Sequence, residues 1–107
     1  MRGLRILAAA CCLAAMAGLP SGVQAQIVAN GETIAKTWCA GCHQIEGEAP
    51  RMGNDAVPSF SSIAQMSSTT QTSLDVFLST PHARMTDYSL TRQEIKDVSA
   101  YILSLRK

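Results

Sequence analysis

The sequence predicts an all-α fold. A capping box, Thr91-Arg92-Gln93-Glu94, opens a stripe of apolar residues running to the C-terminus. Shorter apolar clusters upstream also recur at helical spacing. No stretch reads as a strand, and no internal repeat or domain boundary interrupts the chain.

The first 25 of the 107 residues read as a secretory signal peptide outside that fold. Arg2 and Arg5 make a positive start, and Ile6 to Leu19 are apolar or small. Pro20, Ser21 and Gly22 break the run, and Val23-Gln24-Ala25 fits a small-residue cleavage site, so cleavage is expected after Ala25. The run is short for a span of about 20 residues, which leaves a retained membrane anchor as the lesser alternative. A lipoprotein signal is disfavoured, because alanines (Ala8, Ala9) stand three residues before Cys11 and Cys12. The domain expected to fold is then 26–107. Losing Arg2 and Arg5 leaves seven positive charges against eight negative ones, a net of −1. Such a chain lacks the basic stripe of a nucleic-acid binder. It is one small domain, of a size that gains from a staple or a cofactor in its core.

The first helix is expected over Gln26 to Trp38, with Ile27, Ile34, Ala35 and Trp38 on its apolar face. Gly31 inside that pattern costs about 1 kcal/mol against alanine. Either another helix approaches closely there, or the helix starts after it with Asn30 as cap. Gln44 to Pro58 reads as loop, and Phe60 to Met66 as a short helix. A polar connector, Ser67 to Ser73, follows, and Ser73 is placed as the cap of a helix to about Ser79, with Leu74, Phe77 and Leu78 facing inward. Pro81 ends it, and Pro81 to Leu90 is a second loop. In the last helix, Ile95, Val98, Tyr101, Ile102 and Leu105 form one face. Arg106 and Lys107 stand at the negative end of its dipole.

Between the first helix and the first loop stands Cys39-Ala40-Gly41-Cys42-His43. Cys-x-x-Cys-His is the pattern of c-type haem attachment. Two cysteines three apart on a helix-like turn point their sulfurs to one side, where each can add to a vinyl group. His43 follows at once and can reach the iron, while Ala40 and Gly41 are small enough for the porphyrin edge to lie close. A redox Cys-x-x-Cys would want a preceding strand and a βαβ unit. Zinc would need four ligands, of which only Cys39, Cys42 and His82 suggest themselves. A structural disulfide is chemically permitted by export. For the sixth iron ligand the exported chain offers Met52, Met66, Met85 and His82. Met52 follows His43 too closely, and Met66 falls on an apolar helix face and reads as packing. Met85, 42 residues beyond His43, leaves enough chain to wrap the haem edge, with His82 in the same loop as the alternative.

Taken together, these residues resemble the small class I c-type cytochromes exported by bacteria. The resemblance runs through Gly31 to Trp38, Cys39 to His43, Ala56 to Phe60, Pro81-His82 with Met85, and Leu90 to Leu105. It implies three to four helices with long loops wrapped around one covalent haem c, and crossing N- and C-terminal helices. Gly31 and Tyr101 match the residues at that crossing. Pro58 matches the proline whose carbonyl accepts the ring N–H of His43, with Pro50 as a substitute. Met85 matches the axial methionine, although Thr86 replaces the proline that usually follows it.

The expected function is electron transfer in the periplasm by a monomer. It would meet a dehydrogenase, oxidase or reductase transiently, or serve as a subunit of such a complex. It would bind no nucleic acid, and would touch a membrane only if the leader were kept. A haem-based gas sensor with an open sixth position is the alternative. A haem-free module stapled by a Cys39–Cys42 disulfide is the third reading. No nucleophile, base or phosphate-loop pattern points to catalysis of a substrate reaction.

Overall fold

The computed structural model describes residues 21–46, 57–82 and 84–107. Most of the expected leader and the middle of the first loop, including Pro50 and Met52, lie outside the described residues. Four helices follow in order: α1 (Ser21–Ile34), α2 (Phe60–Gln65), α3 (Gln71–Leu78) and α4 (Arg92–Ser104). No strand forms among the described residues; His82 and Met85 make one isolated antiparallel bridge.

α1 begins within the expected leader and passes without a break into a π-helical turn, Ala35–Cys39. The amide of Ala40 closes that turn on the Ala35 carbonyl at 3.0 Å. The hydroxyls of Thr33 and Thr37 bond the carbonyls of Ala29 and Thr33, at 3.1 and 2.7 Å. Such back-bonding loads the helical carbonyls and favours departures from regular α geometry. Of the expected apolar face, Ala35 is buried and Ile34 packs on the core, but Trp38 is 46% exposed. The widened turn ends the α-helical register before Trp38, so the stripe does not extend to it.

α1 crosses α4 at Gly31, which is buried in the helix interior. A Cβ there would meet the Asp97 carbonyl and come within 2.8 Å of the Tyr101 Cβ. Close approach therefore explains this glycine, and the capping alternative falls away. Asp97 is itself buried at the crossing. Its carboxylate accepts from Gln93 Nε2 at 2.7 Å and Asn30 Nδ2 at 3.5 Å.

α2 and α4 match their expected positions. Ser59 caps α2, accepting from the Ser62 amide at 3.0 Å. At α4 the Thr91 hydroxyl accepts from the Glu94 amide at 3.2 Å, and Glu94 accepts from the Thr91 amide at 2.7 Å. Ile95, Val98, Tyr101 and Ile102 are buried. α3 starts earlier than expected: Thr70 is its cap and Ser73 the third residue of a second, reciprocal box. Leu74 points inward, but Phe77 is exposed.

The Arg106 side chain bonds outside its own helix. Its guanidinium donates to the carbonyls of Ala64, Thr69 and Met66 at 2.8, 2.6 and 3.3 Å. It thereby satisfies the open C-terminal end of α2. The buried cluster comprises Ala35, Ile45, Phe60, Ala64, Leu74, Val98, Tyr101 and Ile102.

Candidate functional site

The cysteines and the histidine leave one tight turn of backbone. Cys39 ends the π turn, and the amides of Cys42 and His43 both donate to its carbonyl, at 3.1 and 2.8 Å. Cys39 is half-buried, Cys42 exposed, and both are free thiols. Burial pushes the Cys39 thiol up to about 11. A redox Cys-x-x-Cys pair needs the reverse, a lowered pKa, so the oxidoreductase reading gains no support. The zinc alternative gains no support either. Among the described residues no three His, Cys, Asp or Glu side chains gather as a metal site. His82 instead stacks on Phe77, with centroids 3.7 Å apart and planes 25° apart.

His43 Nδ1 lies 2.7 Å from the Pro58 carbonyl oxygen. That oxygen can only accept, so Nδ1 carries the proton and Nε2 keeps its lone pair. This is the tautomer of a metal-binding imidazole whose other nitrogen is held by the protein. Pro58 is the residue to which the resemblance assigned such a carbonyl. Phe60 fixes the ring from another side, at 5.2 Å between centroids. Its own amide donates to the Gln44 carbonyl at 3.1 Å, and its ring lies 6.3 Å from that of Tyr101. Phe60 thus links the imidazole to α4, a role hidden in a sequence that marked it only as apolar. Its place two residues after Pro58 was the available signal.

Met85 is half-buried in the loop between α3 and α4, and its amide donates to the His82 carbonyl at 3.2 Å. Three residues on, the Tyr88 ring packs on Trp38 at 5.3 Å, beside Cys39. The methionine loop is therefore brought alongside the cysteine turn. Met66 is 46% exposed at the end of α2. It is not the packing residue expected, because the chain turns away from the helical register there.

These residues fit a covalently held haem. Two free thiols leave one turn, an imidazole is locked with Nε2 available, and a thioether lies on a loop tied to that turn. An all-α chain with this arrangement is of the c-type cytochrome class. The cytochrome c family profile matches residues 28–106, and the chain belongs to that family. It is 38% identical over 97 residues to a cytochrome c-552 of Bradyrhizobium diazoefficiens, across 90% of this chain and 91% of that protein. No solved structure gives a significant match. Membership brings covalently bound haem c, and with it electron transport.

Proposed function

We propose that the chain is a periplasmic mono-haem electron carrier, free-standing or part of a dehydrogenase or respiratory complex. Bound haem iron supplies a one-electron couple between Fe(II) and Fe(III). Cys39 and Cys42 tether the group as thioethers, and His43 coordinates through Nε2. The Pro58 carbonyl orients that ring and raises its basicity as a ligand. Met85 supplies the sixth ligand, a thioether that raises the reduction potential. The observation that carries this reading is the His43–Pro58 hydrogen bond, which selects the coordinating tautomer.

His82 is the weaker candidate for the sixth position because its ring is already engaged by Phe77. The leader pattern of residues 1–25 supports export. Among the described residues no helix is long and apolar enough to cross a membrane. Partners are redox proteins met through a small, transient contact, below about 1,200 Å² in total.

Replacing Met85 with alanine tests the ligand set. The expected variant keeps its haem but turns high-spin and loses potential. Unchanged low-spin spectra would remove Met85 from the site and direct attention to His82. Ready binding of carbon monoxide by the unaltered reduced protein would instead identify an open sixth position, the property of a gas sensor.

A further inference from the structure

Met85 sits midway between two ring contacts. Three residues before it, His82 stacks on Phe77 of α3, and three residues after it, Tyr88 packs on Trp38. The first contact holds the loop to the helix it has just left. The second spans fifty positions of sequence and ends on the residue preceding Cys39. Among the described residues, nothing regular stiffens the loop between them. It contains one bridge, between His82 and Met85, and Thr86 stands directly after the methionine. Past Tyr88, Ser89 has a φ of 51°, in the left-handed region. The Ser89 amide donates to Asp87 Oδ1 at 2.8 Å, which fixes this conformation locally.

We propose that the Trp38–Tyr88 ring pair is a positioning clasp for Met85, fastening its loop to the cysteine turn so that the thioether stays within reach of the iron. The inference rests on Met85 being the sixth ligand. Trp38 and Tyr88 are 46% and 42% exposed and lie outside the buried cluster. Opening the clasp therefore frees the loop without dismantling the core, a local event and not global unfolding. The ring faces do this work, so phenylalanine at position 88 can replace tyrosine.

The test uses the haem-loaded protein and its Tyr88→Ala, Trp38→Ala, Tyr88→Phe and Met85→Ala variants, with the double variant Trp38→Ala/Tyr88→Ala. Three quantities are read: the methionine-to-iron charge-transfer band of the ferric form, the affinity of the ferric form for added imidazole, and the chemical-unfolding midpoint. Tyr88→Ala and Trp38→Ala should each weaken the band and tighten imidazole binding by about three- to tenfold, as expected for loss of one aromatic pair. The double variant should do little more than either single one, and Tyr88→Phe should behave as the parent. Wild-type band and imidazole affinity in both alanine variants would overturn the clasp. So would additive effects, or losses that only track a lowered unfolding midpoint. If Met85→Ala itself leaves the band unchanged, the ligand assignment fails first. If Met85→Ala opens the site and the two ring variants do not, the clasp alone is wrong.

Discussion

At His43 the neighbour decides the proton's position. A proline carbonyl offers no hydrogen, so the 2.7 Å contact works only with Nδ1 as donor. The Cys-x-x-Cys-His spacing displayed both sulfurs and the imidazole; the family resemblance suggested Pro58 as a support, but the part played by Phe60 depended on the fold. Arg106 shows the limit. Its charge was legible as a helix-end cation, but the carbonyls it satisfies lie at the end of α2 and just beyond it, some forty positions away in sequence. No local pattern encodes that pairing. Glu94 is the opposite case, because its partner is three residues away. Hydrogen bonding by the Thr91 backbone amide, with help from the Thr91 side chain, holds its carboxyl below the ordinary value of 4.5. A lowered folded-state pKa stabilises the protein above the unfolded value and loses that contribution as pH falls through the folded one. Thermal melts should therefore place Glu94→Gln below the parent at neutral pH, with the gap closing under about pH 4.5. A gap independent of pH would show that the charge does not matter.

Among the elements, the α1–α4 crossing carries the sharpest expectation. Alanine at position 31 would gain about 1 kcal/mol of helix propensity. Its methyl would also have to enter space held by the Asp97 carbonyl and the Tyr101 Cβ. Backbone cannot yield as a flexible side chain can, so overpacking of about 1–3 kcal/mol or more should win. Gly31→Ala should unfold at lower denaturant than the parent; a more stable variant would contradict the close crossing. The elements differ in how openly the sequence announces them. The start of α4 was legible to the residue because its capping box and apolar stripe agree. α3 was misplaced at its start because Thr69, Thr70 and Ser73 are all plausible caps, and only the paired bonds of Thr70 and Ser73 choose between them. The π turn left no periodic trace, since one widened turn shifts the pattern by a single residue.

For the molecule as a whole, the buried cluster among the described residues is eight side chains, two of them alanine. A core so small gives weak cohesion at this chain length and makes a covalent group in the middle physically valuable. The all-α class and the haem-binding turn could be read from residues alone. The tie between the methionine loop and the cysteine turn could not, because Trp38 and Tyr88 resemble ordinary apolar positions until the chain is folded. The claim on which everything else depends is that Cys39 and Cys42 hold the haem covalently, and peptide mass mapping of the purified, acid-acetone-treated holoprotein tests it most directly. The haem mass should remain on the peptide containing residues 39–43, with neither cysteine open to alkylation. Pigment released into the acetone, or alkylated Cys39 and Cys42 on a colourless peptide, would contradict it.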